Sequence, residues 1–489
     1  LGIHANELTT GYLDGATGYT VNVYSGNAEA YGLQVAEFTE DFDWKVTVNG
    51  KKNVYGIQSD TITFDKNFSG DLAVTSSADR AHGLYGAVLI KEDFNGSISS
   101  VGCYETFGVH GSLTINGNYN GFILAKSTAT WNSPSSYGIA GNVVIAGDYA
   151  GSIEAISTRG EGHGISGNLS VGGDFTGNIK ATGRNHAYAI NSSGNITING
   201  NYSGTIEANN TESYQNHNIV GIRAVASTDI SLDIAKDFAG DVKVNALGNA
   251  WGINLNNDGT GNSVSLHIGG ALSGIITASS DNYNAYGINL YNYYGDHATN
   301  LTIDGDLSGR IQASGNNAYG IVLDHIQNAA SSFEIKGDLS GNITVGASNG
   351  NAYGIYVNGK TGALSIGNGI SGDILVSADG SNSHGYGIYS TSYIYGKDFD
   401  DEDDEEDEKY PVLSFLAGLY KVFAWILFAG TIVTGAVVAA LFVGGNILAI
   451  CGVMFAALLT SIIFLLAFLG ASENIKLKID IERHLSKLK

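Results

Sequence analysis

Between Ala318 and Asn351 the apolar residues fall on alternate positions in three short runs: Ile321 and Leu323, then Phe333 and Ile335, then Ile343, Val345 and Ala347. A period of two is the period of a strand, not of a helix. Gly, Asn, Asp and Ser separate the runs and supply turns. Ala352-Tyr353-Gly354-Ile355 then begins the same pattern again.

The repeat has two halves. Tyr-Gly-Ile recurs at Tyr55, Tyr137, Trp251, Tyr286, Tyr319, Tyr353 and Tyr386, with weaker copies at Tyr31, Tyr85, Phe107, His163, Tyr188 and Val220. Gly-Asp-Leu-Ser-Gly, at Gly337 to Gly341, recurs around Gly70, Gly96, Gly121, Gly151, Gly177, Gly204, Gly240, Gly274, Gly309 and Gly372. The spacing runs from roughly 22 to 36 residues, which suits a coil with loops of variable length. Strands this short need partners, and stacking each coil on the next supplies them. The pattern predicts an all-β fold, a three-sided parallel β-helix solenoid, right-handed as parallel crossovers are. At about 4.8 Å per coil, some 12 coils would reach on the order of 60 Å. The motif glycines are expected at corners with positive φ. Leu339, Leu307, Phe175, Tyr149 and Phe238 are expected to point inward. The Tyr of Tyr-Gly-Ile is expected to stack on its copy in the next coil, giving an aromatic ladder. The alternative is an exposed ligand-binding stripe.

The chain divides into five segments. Residues 1–45 read as an N-terminal cap with the first coils, and an acidic patch at Glu37, Glu40, Asp41 and Asp43 lies there beside Trp44. Residues 46–396 carry the β-helix repeats, with inserts at Thr211–Asn218 and around Tyr291–Asn300 expected to protrude. Residues 397–410 read as an acidic, disordered linker. Residues 411–471 hold two uncharged spans, 422–443 and 447–470, each long enough at about 1.5 Å per residue to cross a bilayer as a helix. Gly444-Gly445-Asn446 between them predicts a transmembrane hairpin, with small residues such as Gly430, Gly435 and Gly452 allowing close approach. Residues 472–489 form a basic amphipathic tail suited to a membrane surface.

The chain has 489 residues, 68 Gly and only 2 Pro, and low proline suits hydrogen-bonded strands. The net charge is −23; ten of the 47 acids fall at 398–408, leaving 37 against 24 bases, a balance of −13. An acidic column argues against a nucleic-acid partner. Cys103 and Cys451 lie in dissimilar regions, so no disulfide framework is expected. No phosphate loop, HExxH, GxSxG or CxxC occurs, and no catalytic, cofactor or metal residues are assigned. Asp148, Asp174, Asp306 and Asp338 recur inside the turn motif and read as turn residues. Glu161 with His163 is the nearest approach to a catalytic pair. His82, His163, His186 and His384 sit near the Tyr-Gly-Ile position and read as stacking or turn residues.

The Tyr-Gly-Ile and Gly-Asp-Leu-Ser-Gly coils, about residues 30–392, resemble the β-helical passenger regions of bacterial autotransporter-like and adhesin-like surface proteins. The resemblance implies a surface-displayed rod with adhesive or structural roles. No C-terminal outer-membrane barrel pattern follows the coils. The segment from Tyr410-Pro411-Val412 to Ile481-Glu482 is similar to a family of small, uncharacterised bacterial two-span membrane proteins. The basic flanks Lys421, Lys476, Lys478, Arg483, Lys487 and Lys489 would place the coils on the cytoplasmic side. Their composition suggests cell surface or periplasm instead. Either the coils are cytoplasmic, or the charge tendency is overridden, or the second span does not cross, or two unrelated pieces are joined. The expected function is a non-enzymatic, membrane-anchored rod. Its partners would be the lipid bilayer, through 422–443 and 447–470, and an extracellular protein or glycan. The alternatives are a carbohydrate-active β-helix enzyme, and a membrane protein whose rod is an accessory.

Overall fold

The computed structural model describes residues 3–8, 18–130, 133–212, 217–257, 259, 262–293, 297–325, 331–358, 363–381, 383–391 and 393–396. The acidic linker, both apolar spans, the basic tail and Cys451 lie outside them. Every regular element among the described residues is a β-strand, and none is a helix long and apolar enough to cross a membrane. All strand pairings are parallel, and each strand pairs with the equivalent strand of the next coil. This is a parallel β-helix built of stacked repeats.

One coil shows how sequence becomes structure. Ser152–Ser157, Gly162–Ser166 and Leu169–Val171 are its three strands, and Phe175 closes it. Ile153 pairs with Ile179, Ile165 with Ile190, and Leu169 with Ile196. Phe175 bridges Tyr149 below and Tyr202 above. The repeat first read from the sequence follows the same plan, with strands at Ala318–His325, Ser331–Ile335 and Asn342–Ala347. One column forms a 13-stranded sheet from Thr20–Ser25 to Ile374–Ala378. The other two merge into a single sheet, because in early coils they are one bent strand, as in Val54–Phe64 and Ala81–Ile90. The expected insert at 211–218 is shorter, because Asn218 already opens a strand. Tyr291 and Asn292 likewise end one strand, and Thr299 begins the next.

Alternation puts Ile, Val and Leu from all three columns into one continuous core, most of them fully buried. A buried ladder runs through it: Phe42, Phe68, Phe94, Tyr119, Tyr149, Phe175, Tyr202 and Phe238, continued by Leu272, Leu307 and Leu339. Its rings lie 4.4 to 5.2 Å apart between centroids. Each such pair contributes about 0.5–1.5 kcal/mol beyond area burial. The three tyrosines keep their hydroxyls satisfied by donating to backbone carbonyls of the next coil: Tyr119 to Ser152 at 3.1 Å, Tyr149 to Asn178 at 3.0 Å and Tyr202 to Asp241 at 2.9 Å. Burial holds all three phenols well above the ordinary tyrosine pKa. Trp44 is buried beside Phe42 in the first coils.

The motif glycines correct the sequence reading. At the first and last motif positions no glycine has a left-handed φ; those that do include Gly86, Gly111, Gly141 and Gly167, stacked at a different corner, and Gly369, which takes the Asp position in the copy ending at Gly372. The motif glycines are instead required by the coil beneath. A Cβ at Gly121 would lie 2.1 Å from the Phe94 ring and 2.4 Å from the Gly96 carbonyl oxygen. A Cβ at Gly173 would lie 2.0 Å from the Asp148 carboxylate. The second motif glycine makes room for the ring below, and the first for the carboxylate below.

Gly121→Ala should therefore destabilise the protein by about 1–3 kcal/mol through overpacking. Gly26→Ala, at a position with nothing within 4 Å of the added methyl, should be nearly neutral. Thermal unfolding of the two variants measures the difference.

Candidate functional site

The Tyr-Gly-Ile residues form an aromatic ladder on the outer face. Tyr31, Tyr55, His82, Phe107, Tyr137, His163 and Tyr188 stack with centroids 4.7 to 5.1 Å apart. Trp251, Tyr286, Tyr319, Tyr353 and Tyr386 form a second run, 4.8 to 5.7 Å apart. In the first run most ring faces are covered by neighbouring rungs, and His82, His163, Phe107 and Tyr188 are buried. This favours a wall over a ligand stripe. Tyr85 is not a rung: His82 takes that place, with Tyr85 paired to Gln58 and His110 in the next outer column. Val220 interrupts the ladder. There the Arg223 guanidinium lies 5.3 Å from the Tyr188 ring centroid, about one ring spacing, and donates to Asn191 Oδ1 at 2.6 Å.

The periodic carboxylates have a structural task. Asp93 Oδ1 accepts the Asn118 N–H at 2.7 Å, Asn118 Oδ1 the Asp148 N–H at 2.9 Å, Asp148 Oδ1 the Asp174 N–H at 2.8 Å and Asp174 Oδ1 the Asn201 N–H at 2.7 Å. Asp306 Oδ1 does the same for the Asp338 N–H at 2.8 Å. Each side chain satisfies a backbone donor at a corner where the strand ladder has opened. A second Asx column runs through Asn317, Asn351 and His384, with Asn317 Oδ1 accepting from Asn351 and Asn351 Oδ1 from His384. His186 Nδ1 plays this part for the Asn218 N–H at 2.9 Å. So His82 and His163 stack, whereas His186 and His384 belong to corners.

Glu161 and His163 do meet: Oε2 lies 2.9 Å from Nε2. That hydrogen bond lowers the Glu161 pKa. The imidazole is a poor candidate for proton transfer to a substrate. It lies between Tyr137 and Tyr188, with its ring faces stacked on both and its Nδ1 buried without a partner. No group of three or more His, Cys, Asp or Glu among the described residues is arranged to hold a metal ion.

Among the described residues the surface carries a shallow, open furrow of about 400 Å³. Its floor is the second motif glycine of successive coils, Gly96, Gly121 and Gly151. One wall carries Asn95 and Asn120; the other carries Ser97, Phe122, Ser152 and Asn178. The floor is bare glycine backbone, and it stays glycine because a Cβ there would enter the coil beneath. Phe122 stands between Ser97 and Ser152 in the strand register and is 37% exposed. An apolar residue at an outward strand position was its only sequence signal.

Two outcomes follow from this geometry. Asp148→Asn should leave stability nearly unchanged, because Asn118 and Asn201 already fill equivalent rungs; Asp148→Ala should cost about 1 kcal/mol by leaving the Asp174 N–H without its acceptor. Thermal unfolding reads both. His82 sits 3.2 Å from His110 between their Nδ1 atoms, with Tyr55, Tyr85 and Phe107 around it and Arg80 nearby. Burial, then His110 and Arg80, push its pKa down to about 3. The folded state thus binds fewer protons than the unfolded state from about pH 6.5 down to about 3. This contribution is complete above pH 6.5 and falls by up to about 1.4 kcal/mol per unit of acidification. Hydrogen exchange should show the coils around His82 opening more readily at pH 4.5 than at pH 7, with His82→Phe reducing the difference.

No protein-family model, curated protein or solved structure matches the chain.

Proposed function

We propose that the coils form a non-catalytic binding and display column, tethered to a lipid bilayer through 422–443 and 447–470. The right-handed winding expected of parallel crossovers belongs to the same proposal. The observation that carries the reading is the use of the recurring Asp and Asn side chains as acceptors for the next coil's backbone. A carboxylate committed to a main-chain N–H supports the stack, and the furrow offers hydroxyls, amides and one ring in place of an acid–base pair. The bacterial surface-protein resemblance supports an adhesive or structural role in the same direction. The tether rests on the two long uncharged spans.

The full-length chain should release no products from a panel of acidic polysaccharides, with or without calcium, and should stay with membranes on alkaline carbonate extraction. Cleavage abolished by Glu161→Gln would show the column to be an enzyme. Release of the chain into the soluble fraction would remove the tether.

A further inference from the structure

We propose that the furrow over Gly96, Gly121 and Gly151 binds a linear, uncharged glycan lying along the stacking axis, with Phe122 as its platform. This rests on the reading of the coils as a binding column and names where binding occurs and what is bound.

Most of the main-chain edge along the floor is already paired. Gly96 donates its N–H to Phe68 O at 2.9 Å, Ser97 to Gly70 O at 2.9 Å, Phe122 to Gly96 O at 3.0 Å and Gly151 to Tyr119 O at 2.9 Å. An extended peptide recognised by strand addition needs a continuous run of unpaired N–H and C=O groups, and the pairing at Gly96, Ser97, Phe122 and Gly151 breaks any such run. Recognition must come from side chains.

The side chains on the walls are of one kind. Ser97, Ser152, Asn95, Asn120 and Asn178 carry groups that both donate and accept. Asn120 Nδ2 donates to Asn95 Oδ1 at 2.9 Å, which leaves each amide further hydrogen-bonding capacity. Groups of mixed donor and acceptor character match the hydroxyls of a sugar, which do the same. Phe122, half-open beside them, presents an aromatic face to the C–H face of a pyranose ring.

Charge narrows the class. No Lys, Arg or His lines the furrow. Its one charged group, Asp71, accepts the Ser97 hydroxyl at 2.5 Å. An anionic polymer would find no counter-charge here, and a nucleic acid none of the cations it needs. Periodicity then favours a polymer over a single small molecule, because successive coils present wall positions at the strand spacing of about 4.8 Å.

The test uses the full-length chain in detergent and calorimetric titration with cellohexaose, maltohexaose and chitohexaose, against a polygalacturonate oligomer and an uncharged extended octapeptide. At least one neutral hexasaccharide should bind, and more tightly than its trisaccharide. Phe122→Ser installs the residue that neighbouring coils carry at that position, so the fold should hold, with the thermal midpoint as the check. It should weaken binding by about tenfold, as loss of one stacked ring predicts. Phe122→Trp should preserve binding, and Ser273→Ala, on the column of Asn95 and Asn120 several coils away, should leave it unchanged. Binding of the neutral glycans that is indifferent to Phe122→Ser, or a preference for polygalacturonate or the peptide, would overturn the proposal. Absence of any glycan binding together with absence of cleavage overturns the furrow alone and leaves the non-catalytic reading standing. Binding followed by cleavage overturns the non-catalytic reading alone.

Discussion

Parallel stacking without slippage, each coil's residue set directly over its equivalent, is the constraint from which the rest of this protein follows. In such a register every side chain faces a copy of its own position about 4.8 Å away. Groups that attract their own kind are favoured: rings stack, amides bond to amides, and branched aliphatics pack. Groups that repel their own kind must be diluted. Charged residues make up only 15% of the chain, and in one outward strand column where charges follow one another the signs alternate: Glu154, Lys180, Glu207 and Lys243 are consecutive rungs. Like charges in that column would be opposed at every step. The corner column tolerates acids because the carboxylates bond to backbone N–H groups and because Asn is interspersed among the Asp.

The same register explains the glycine content. Backbones of successive coils approach so closely at two corners that a methyl group on the upper coil would enter the lower one. The inner ladder sharpens this demand: a ring beneath the second motif glycine fills the space that a side chain would need. Where the ladder changes to Leu272, Leu307 and Leu339, the glycine persists, because a Cβ at Gly309 would still lie 2.1 Å from the Gly274 carbonyl oxygen. Close backbone approach is thus the general cause, and the ring an additional one.

The repeat, the strand period, the inward residues and the outer ladder were legible in the sequence because each is a local pattern. Three features were not. The reason for the motif glycines lies in the preceding coil, about 25 or more residues away, so the letters alone suggested a corner with positive φ. Tyr85 matched the Tyr-Gly pattern by letter, whereas the register is fixed by the inward Gly83 and Leu84; an imidazole stacks as well as a phenol, so His82 is the rung. The furrow was hidden because its floor is made of glycines that read as corners between strands. Its one legible sign was Phe122, an apolar side chain on a position that neighbouring coils fill with serine.

That sign points to where specificity resides in a structure of this kind. A column of identical rungs presents the same chemistry at every level, so it can support a long ligand but cannot fix its place. Fixing a place requires a rung that differs. Val220 is one such interruption, and the coil spends it internally, folding the Arg223 guanidinium over Tyr188 where a ring would otherwise stack. Phe122 is another, and no neighbouring rung uses it: Ser97 and Ser152 offer it no ring to stack on, so its face stays open. Self-stacking therefore sorts the irregular positions into those that repair the column and those that are left facing solvent, and the second group is where recognition can be written without cost to the stack.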